Sequence, residues 1–208
     1  MRKRKVLPWK KVGAPITLAS SFCRKLLSQL YRNPHASGVE EFSLIIQTDG
    51  VVVLPLTEDH QVIACRQYRP GCHRILLGLP GGGFEDGVNE TPTDVARREL
   101  LEETGYEADE LTCLGYGWLS PTGSPTKTYC VLARHCRKRQ APKDDVQEVI
   151  EVVSMSLEEW VSQILSGEVS DPFAVLATVR ALPHLGVRIS KMSQSESRED
   201  SVRKGEGA

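Results

Sequence analysis

Apolar positions fall first into short runs with strand-like spacing and only later into helical spacing. Residues 42–47, 51–56 and 62–65 each read as a strand, divided by the turn formers Thr48-Asp49-Gly50 and Thr57-Glu58-Asp59. Residues 74–79 form another, and a glycine loop, Leu79-Pro80-Gly81-Gly82-Gly83-Phe84-Glu85-Asp86-Gly87, follows. The pattern then becomes helical. Thr91 offers an N-cap, Pro92 the first helical position and Asp94 the return bond of a capping box, while Gly105 supplies a C-cap. These signals predict a helix over 92–104. Residues 111–119, 128–133 and 149–155 read as further strands. Ser156 and Glu159 open a second helix that Gly167 ends, and Asp171-Pro172 opens a third that Pro183 stops. Strands, one helix, more strands and then helices predict an α/β chain with a mixed sheet between helices.

The first helix carries an unfavourable arrangement of charge. At 100° per residue, Glu99, Glu102 and Glu103 share an arc of about 100° with Val95 and Ala96. Like charges at these spacings destabilise a helix by roughly 0.2–0.5 kcal/mol per pair. A cation relieves that repulsion, and a hard divalent ion takes carboxylate oxygens. An ordinary solvated acidic face is the alternative; the glycine loop at the helix entrance favours a ligand.

These residues resemble the Nudix hydrolase signature. Glu90, seven residues and then Arg98-Glu99-Leu100-Leu101-Glu102-Glu103-Thr104-Gly105-Tyr106 match its second half at every defined position. The loop departs from it: Gly82 and Glu90 enclose seven residues instead of five, so Val88-Asn89 reads as a two-residue insertion. Surface loops absorb such insertions cheaply. The resemblance implies a Nudix-type α/β/α sandwich with a mixed β-sheet over about residues 40–187. It also implies Mg²⁺, or Mn²⁺ in its place, with Glu99 and Glu103 as direct ligands. Glu102 would act directly or through water, and the Gly81 carbonyl would complete the shell. Arg98, at i,i+4 spacing to Glu102 and from Asp94, is expected to orient a ligand carboxylate. Glu90 is expected to be structural at the helix entry.

Segments outside the signature resemble the ADP-ribose pyrophosphatase subfamily. They are Gln67-Tyr68-Arg69-Pro70-Gly71, the Ser120-Pro121 pair, and the acidic helix start at Ser156-Leu157-Glu158-Glu159. The resemblance implies that Arg69 and Pro121 lie at a nucleotide substrate, ADP-ribose or a related nucleoside diphosphate sugar. The catalytic base is less defined. Some relatives carry a glutamate where Thr126 stands here, beside Lys127. Others place one before a later strand, which makes Glu148 the candidate and Asp144 and Asp145 the fallbacks. A Nudix hydrolase for another nucleotide and a non-catalytic nucleotide sensor are the alternatives. A homodimer is expected from the resemblance alone.

Whole-chain properties set the frame. With 208 residues, 40% hydrophobic, and a net charge of −1, the chain is expected to be one domain with tails. Its near-neutral balance gives no reason to expect nucleic acid, and no apolar run suggests a membrane span. Residues 1–39 contain no acid and read as a basic, partly flexible segment, and the polar stretch 188–208 reads as disordered. No apolar run follows the basic start, so a cytoplasmic location is expected, with an organellar leader as the alternative. The six cysteines form no Cys-x-x-Cys pair and read as reduced thiols.

Overall fold

The computed structural model describes residues 5–143 and 149–187. Its hub is β4 (Gly50–Pro55), whose apolar run is buried on both faces. β9 (Ser124–Arg134) pairs with it in parallel and β8 (Glu110–Ser120) pairs antiparallel with β9, in the order β4-β9-β8. A strand covered on both faces reads as a continuous apolar stretch, and Val-Val-Val-Leu is such a stretch.

The period of two divides that stretch between two cores. Val51 and Val53 face α1 (Pro92–Thr104) and pack with Val95, Ala96, Leu100 and Val131. Val52 and Leu54 face the other way, onto Cys130, Leu132, and Val62 and Ala64 of β5 (Gln61–Arg69). α2 (Leu157–Ser166) and α3 (Pro172–Ala181) close this second core through Trp160, Ala174 and Ala177. Fully buried Trp160 donates its indole N–H to Thr178 Oγ1 at 2.9 Å, tying α2 to α3. The result is the expected α/β/α arrangement.

A second sheet, β11 (Ile150–Ser156), β5 and β6 (Arg74–Gly78), is antiparallel throughout. A two-residue pairing of β7 (Tyr106–Glu107) with β10 (Arg137–Lys138) lies beyond the end of α1. All three helix starts use the expected caps: Thr91 with Asp94 in a full capping box, Ser156, and Asp171. Gly105 and Gly167 take the left-handed conformation at the helix ends. Pro183 falls in a short 3₁₀ turn, Leu182–Leu185, directly after α3.

The N-terminal region differs from its sequence reading as a basic, partly flexible segment. β1 (Lys10–Ser21), β2 (Arg24–Arg32) and β3 (Val39–Ile46) form an antiparallel sheet. The missing acids say nothing about backbone pairing, and the interspersed Ile16, Leu18, Leu26 and Leu27 suit a half-solvated sheet. Ile45 donates its N–H to the Gly123 carbonyl at 2.7 Å, joining this sheet to the β8–β9 turn. The polar tail 188–208 lies outside the described residues. No described helix is long and apolar enough to cross a membrane.

Candidate active site

The glycine loop is built onto the free edge of β4. Val53 N–H donates to the Pro80 carbonyl at 2.9 Å, and Val51 N–H to the Gly82 carbonyl at 2.8 Å. Backbone alternation then turns the Gly81 peptide towards α1, where its N–H donates to Glu103 Oε2 at 2.8 Å. Side chains are excluded here. A Cβ on Gly81 would stand 2.2 Å from the Val51 carbonyl oxygen, and one on Gly82 2.3 Å from a Glu99 carboxylate oxygen. Two of the three glutamates therefore reach a loop whose glycines are required by contact. Glu103 is buried and the Glu99 side chain is 13% exposed.

Arg98 binds different partners from those that helical spacing suggested. Its guanidinium holds Glu99 at 2.7 Å and Glu90 at 3.4 Å, and donates to the Gly83 carbonyl at 3.0 Å. Glu85 completes the group at 3.6 Å. Asp94 is occupied by Thr91, and Glu102 lies elsewhere. The physical reason is direction: helical side chains lean towards the N-terminus, so Arg98 meets the loop folded over the helix entrance. Burial alone would lower its pKa, but the charges of Glu99 and Glu90 outweigh that and raise it. Glu90 also accepts the Glu85 N–H at 3.2 Å.

Glu102 points towards Lys143, whose ammonium lies 3.7 Å away. Lys143 N–H also donates to the Glu102 carbonyl at 2.7 Å, one of the carbonyls that a helix end leaves without a helical partner. No sequence signal pointed to Lys143, because the contact joins positions 41 apart. Among the described residues, no three acidic, histidine or cysteine side chains converge closely enough to hold one ion.

The remaining expectations fall at several places. Arg69 ends β5 opposite Arg74, at a hairpin tip roughly 15 Å of strand from Leu79. Pro121 sits in the β8–β9 turn and lines a cleft of about 360 Å³ with Tyr31, Leu44 and Trp118. Lys127 Nζ stands 4.7 Å from the Tyr116 ring centre and 5.4 Å from that of Trp118. Thr126 is buried, with its hydroxyl donated to the Gln47 carbonyl at 3.2 Å. Glu148, Asp144 and Asp145 lie outside the described residues. All six cysteines are free thiols; burial pushes Cys130 up to about 11 and Cys136 up to about 12.

A capped helix with clustered glutamates, folded against a side-chain-free loop on a mixed sheet, defines a recognisable class of protein. The family model described as NUDIX domain matches residues 47–173, and the chain belongs to that family. It is 33% identical over 123 residues to an ADP-ribose pyrophosphatase of Bacillus subtilis, covering 59% of this chain and 65% of the relative. Over 127 residues it is 32% identical to an ADP-sugar pyrophosphatase of Mus musculus, covering 56% of each. The chain thus spans less than two thirds of either relative. A crystal structure of an ADP compounds hydrolase superposes with a TM-score of 0.75 at 20% identity, over 88% of this chain and 97% of the other, and shows the same fold.

Proposed function

We propose that this chain hydrolyses the diphosphate linkage of ADP-ribose or a related nucleoside diphosphate sugar, releasing a nucleoside monophosphate and a sugar phosphate. The observation that carries this is the contact of Glu99 and Glu103 with Gly81 and Gly82 at one end of the sheet. Relatives described as ADP-ribose and ADP-sugar pyrophosphatases support the substrate class.

The donor set fits a hard divalent ion, with Mg²⁺ first and Mn²⁺ as its substitute. Glu99 and Glu103 supply carboxylate oxygens beside the Gly81-Gly82 backbone, and Glu102 joins them by turning from Lys143. When bound, such an ion neutralises the diphosphate and lowers the pKa of an attacking water.

The chain's own residues do the rest. Arg98 holds Glu99 in orientation and balances its charge. The loop keeps a backbone surface open to phosphate oxygens. Glu148 takes the proton of the attacking water, since Thr126 carries no carboxylate and its hydroxyl is already used. Arg69 and Pro121, on two hairpin tips, meet the nucleoside and sugar ends of the substrate. The protein acts in the cytoplasm as a homodimer joined through its N-terminal strands, where Ile16 and Ile45 are 65% and 48% exposed. A monomer by light scattering would remove the dimer.

The test is Mg²⁺-dependent turnover across ADP-ribose, other nucleotide sugars, dinucleotides and nucleoside triphosphates. AMP and ribose phosphate from ADP-ribose are expected; preferential release of pyrophosphate from a triphosphate would overturn the substrate class. Glu103→Gln should lower kcat by about 100-fold or more, the several kcal/mol that a catalytic ion supplies. Its metal-free melting temperature should stay level, because a glutamine oxygen still accepts the Gly81 N–H. Unchanged turnover at limiting Mg²⁺ would refute the role of Glu103.

A further inference from the structure

The three glutamates are held by three kinds of partner. Glu99 is held by a largely covered guanidinium at 2.7 Å and Glu103 by a peptide N–H at 2.8 Å. Glu102 has an ammonium at 3.7 Å, with the two side chains 64% and 40% exposed. An exposed pair of this kind shifts an equilibrium by about two- to five-fold, so it yields to a stronger competitor.

The backbone beneath that weak pair is firmly built. Lys143 N–H reaches the Glu102 carbonyl, and the N–H groups of Arg139 and Gln140 both reach the Gly105 carbonyl, at 2.9 and 3.2 Å. The approach is so close that a Cβ on Gly105 would stand 2.1 Å from the Gln140 carbonyl oxygen. The strap over residues 139–143 thus fixes where the Lys143 side chain begins and delivers its ammonium to Glu102. A chance meeting of two surface side chains would need no such strap.

We infer that Lys143 parks Glu102: it occupies the third carboxylate until a divalent ion displaces it. The inference rests on the metal-holding role proposed for α1 and adds to it a residue outside the glutamate helix that sets the ion concentration at which the site fills. Glu99 and Glu103 are the fixed part of the site, and Glu102 is the part that exchanges partners. Because the Lys143–Glu102 pair is exposed, salt weakens the parking.

The experiment measures Mn²⁺ affinity of the full chain without nucleotide, following free Mn²⁺ by electron paramagnetic resonance. Lys143→Met and Lys143→Gln leave the backbone strap intact and should tighten Mn²⁺ binding about two- to five-fold, whereas Lys143→Arg should not. In a Glu102→Gln background the Lys143→Met effect should vanish, since no carboxylate is left to release. Unchanged affinity in both Lys143→Met and Lys143→Gln would overturn the parking. Equal tightening in both backgrounds would also overturn it, because Lys143 would then be only a repulsive charge near the ion. If the unaltered chain binds no Mn²⁺, or Glu103→Gln binds it equally well, the metal-holding role itself falls and the parking with it. Those results are distinct from a site that binds the ion but ignores Lys143.

Discussion

The two ends of α1 are secured by different means. At its entrance, side chains hold it: Thr91 and Asp94 close the capping box, and Arg98 gathers Glu99, Glu90 and Glu85 beneath the Gly83 carbonyl. At its exit, backbone holds it: Gly105 turns left-handed with φ of 74°, and the strap from Arg139 to Lys143 binds the last carbonyls. At the entrance three carboxylates share one guanidinium in a partly buried knot. At the exit Glu103 is buried against the Gly81 N–H, and Glu102 is left to one exposed pair. A knot keeps carboxylates in register with the glycine loop, whereas a backbone clamp holds the helix without engaging the exposed Glu102 side chain.

The largest test of this contrast removes the knot. Arg98→Gln leaves Glu99, Glu90 and Glu85 facing one another without their cation. Losing a residue that orients a metal ligand typically costs about 10–100-fold in metal affinity or activity, and that loss is expected here. Lys143→Met at the exit should change affinity only a few-fold, and in the opposite direction. An Arg98→Gln protein within about threefold of the unaltered chain in both Mn²⁺ affinity and kcat/KM would erase the difference between the ends.

An intermediate effect is expected from breaking the clamp. Gly105→Ala combines a strained positive φ with a Cβ driven onto the Gln140 carbonyl, so stability should fall by about 2 kcal/mol or more. Denaturant unfolding measures this. A change below about 0.5 kcal/mol would mean that the strap lifts away at little cost.

The smallest effect is at the first cap. Thr91→Ala should lower the melting temperature by about 2–4 °C at neutral pH. The Thr91 hydroxyl and N–H, donating to Asp94, hold its carboxyl below the usual aspartate value. A depressed folded pKa means that the stabilisation is full above the ordinary value and is lost as pH falls through the folded one. The difference between Thr91→Ala and the unaltered chain should therefore narrow in acid. A difference that is the same at pH 7 and at pH 3 would take ionised Asp94 out of the capping box.

Much of the fold was legible where the information is local. The limits of α1 followed from Thr91, Pro92, Asp94 and Gly105, all within one helix length. β4 was legible because an apolar run between turn formers has few other uses in a mixed sheet. The short pairing of β7 with β10 left no such mark, since two-residue strands carry no period. β1 and β2 were missed because a largely exposed sheet lacks the buried stripe that marks an amphipathic strand; most of their residues face solvent.

Within the site, the sequence by itself determined that three glutamates share one face of one helix and that a glycine loop leads into it. Helical geometry makes such facts functions of spacing alone. Tertiary structure decided that Glu99 and Glu103 are covered and held while Glu102 stays exposed beside Lys143. Arg98 was expected to pair along the helix with Glu102 and Asp94, but the returning loop brings Glu90, Glu85 and the Gly83 carbonyl to it. Lys143 meets Glu102 only because β9 and β10 carry the chain back past Gly105. Contacts between residues so far apart in the chain depend on the path of everything between them, and no local pattern records that path.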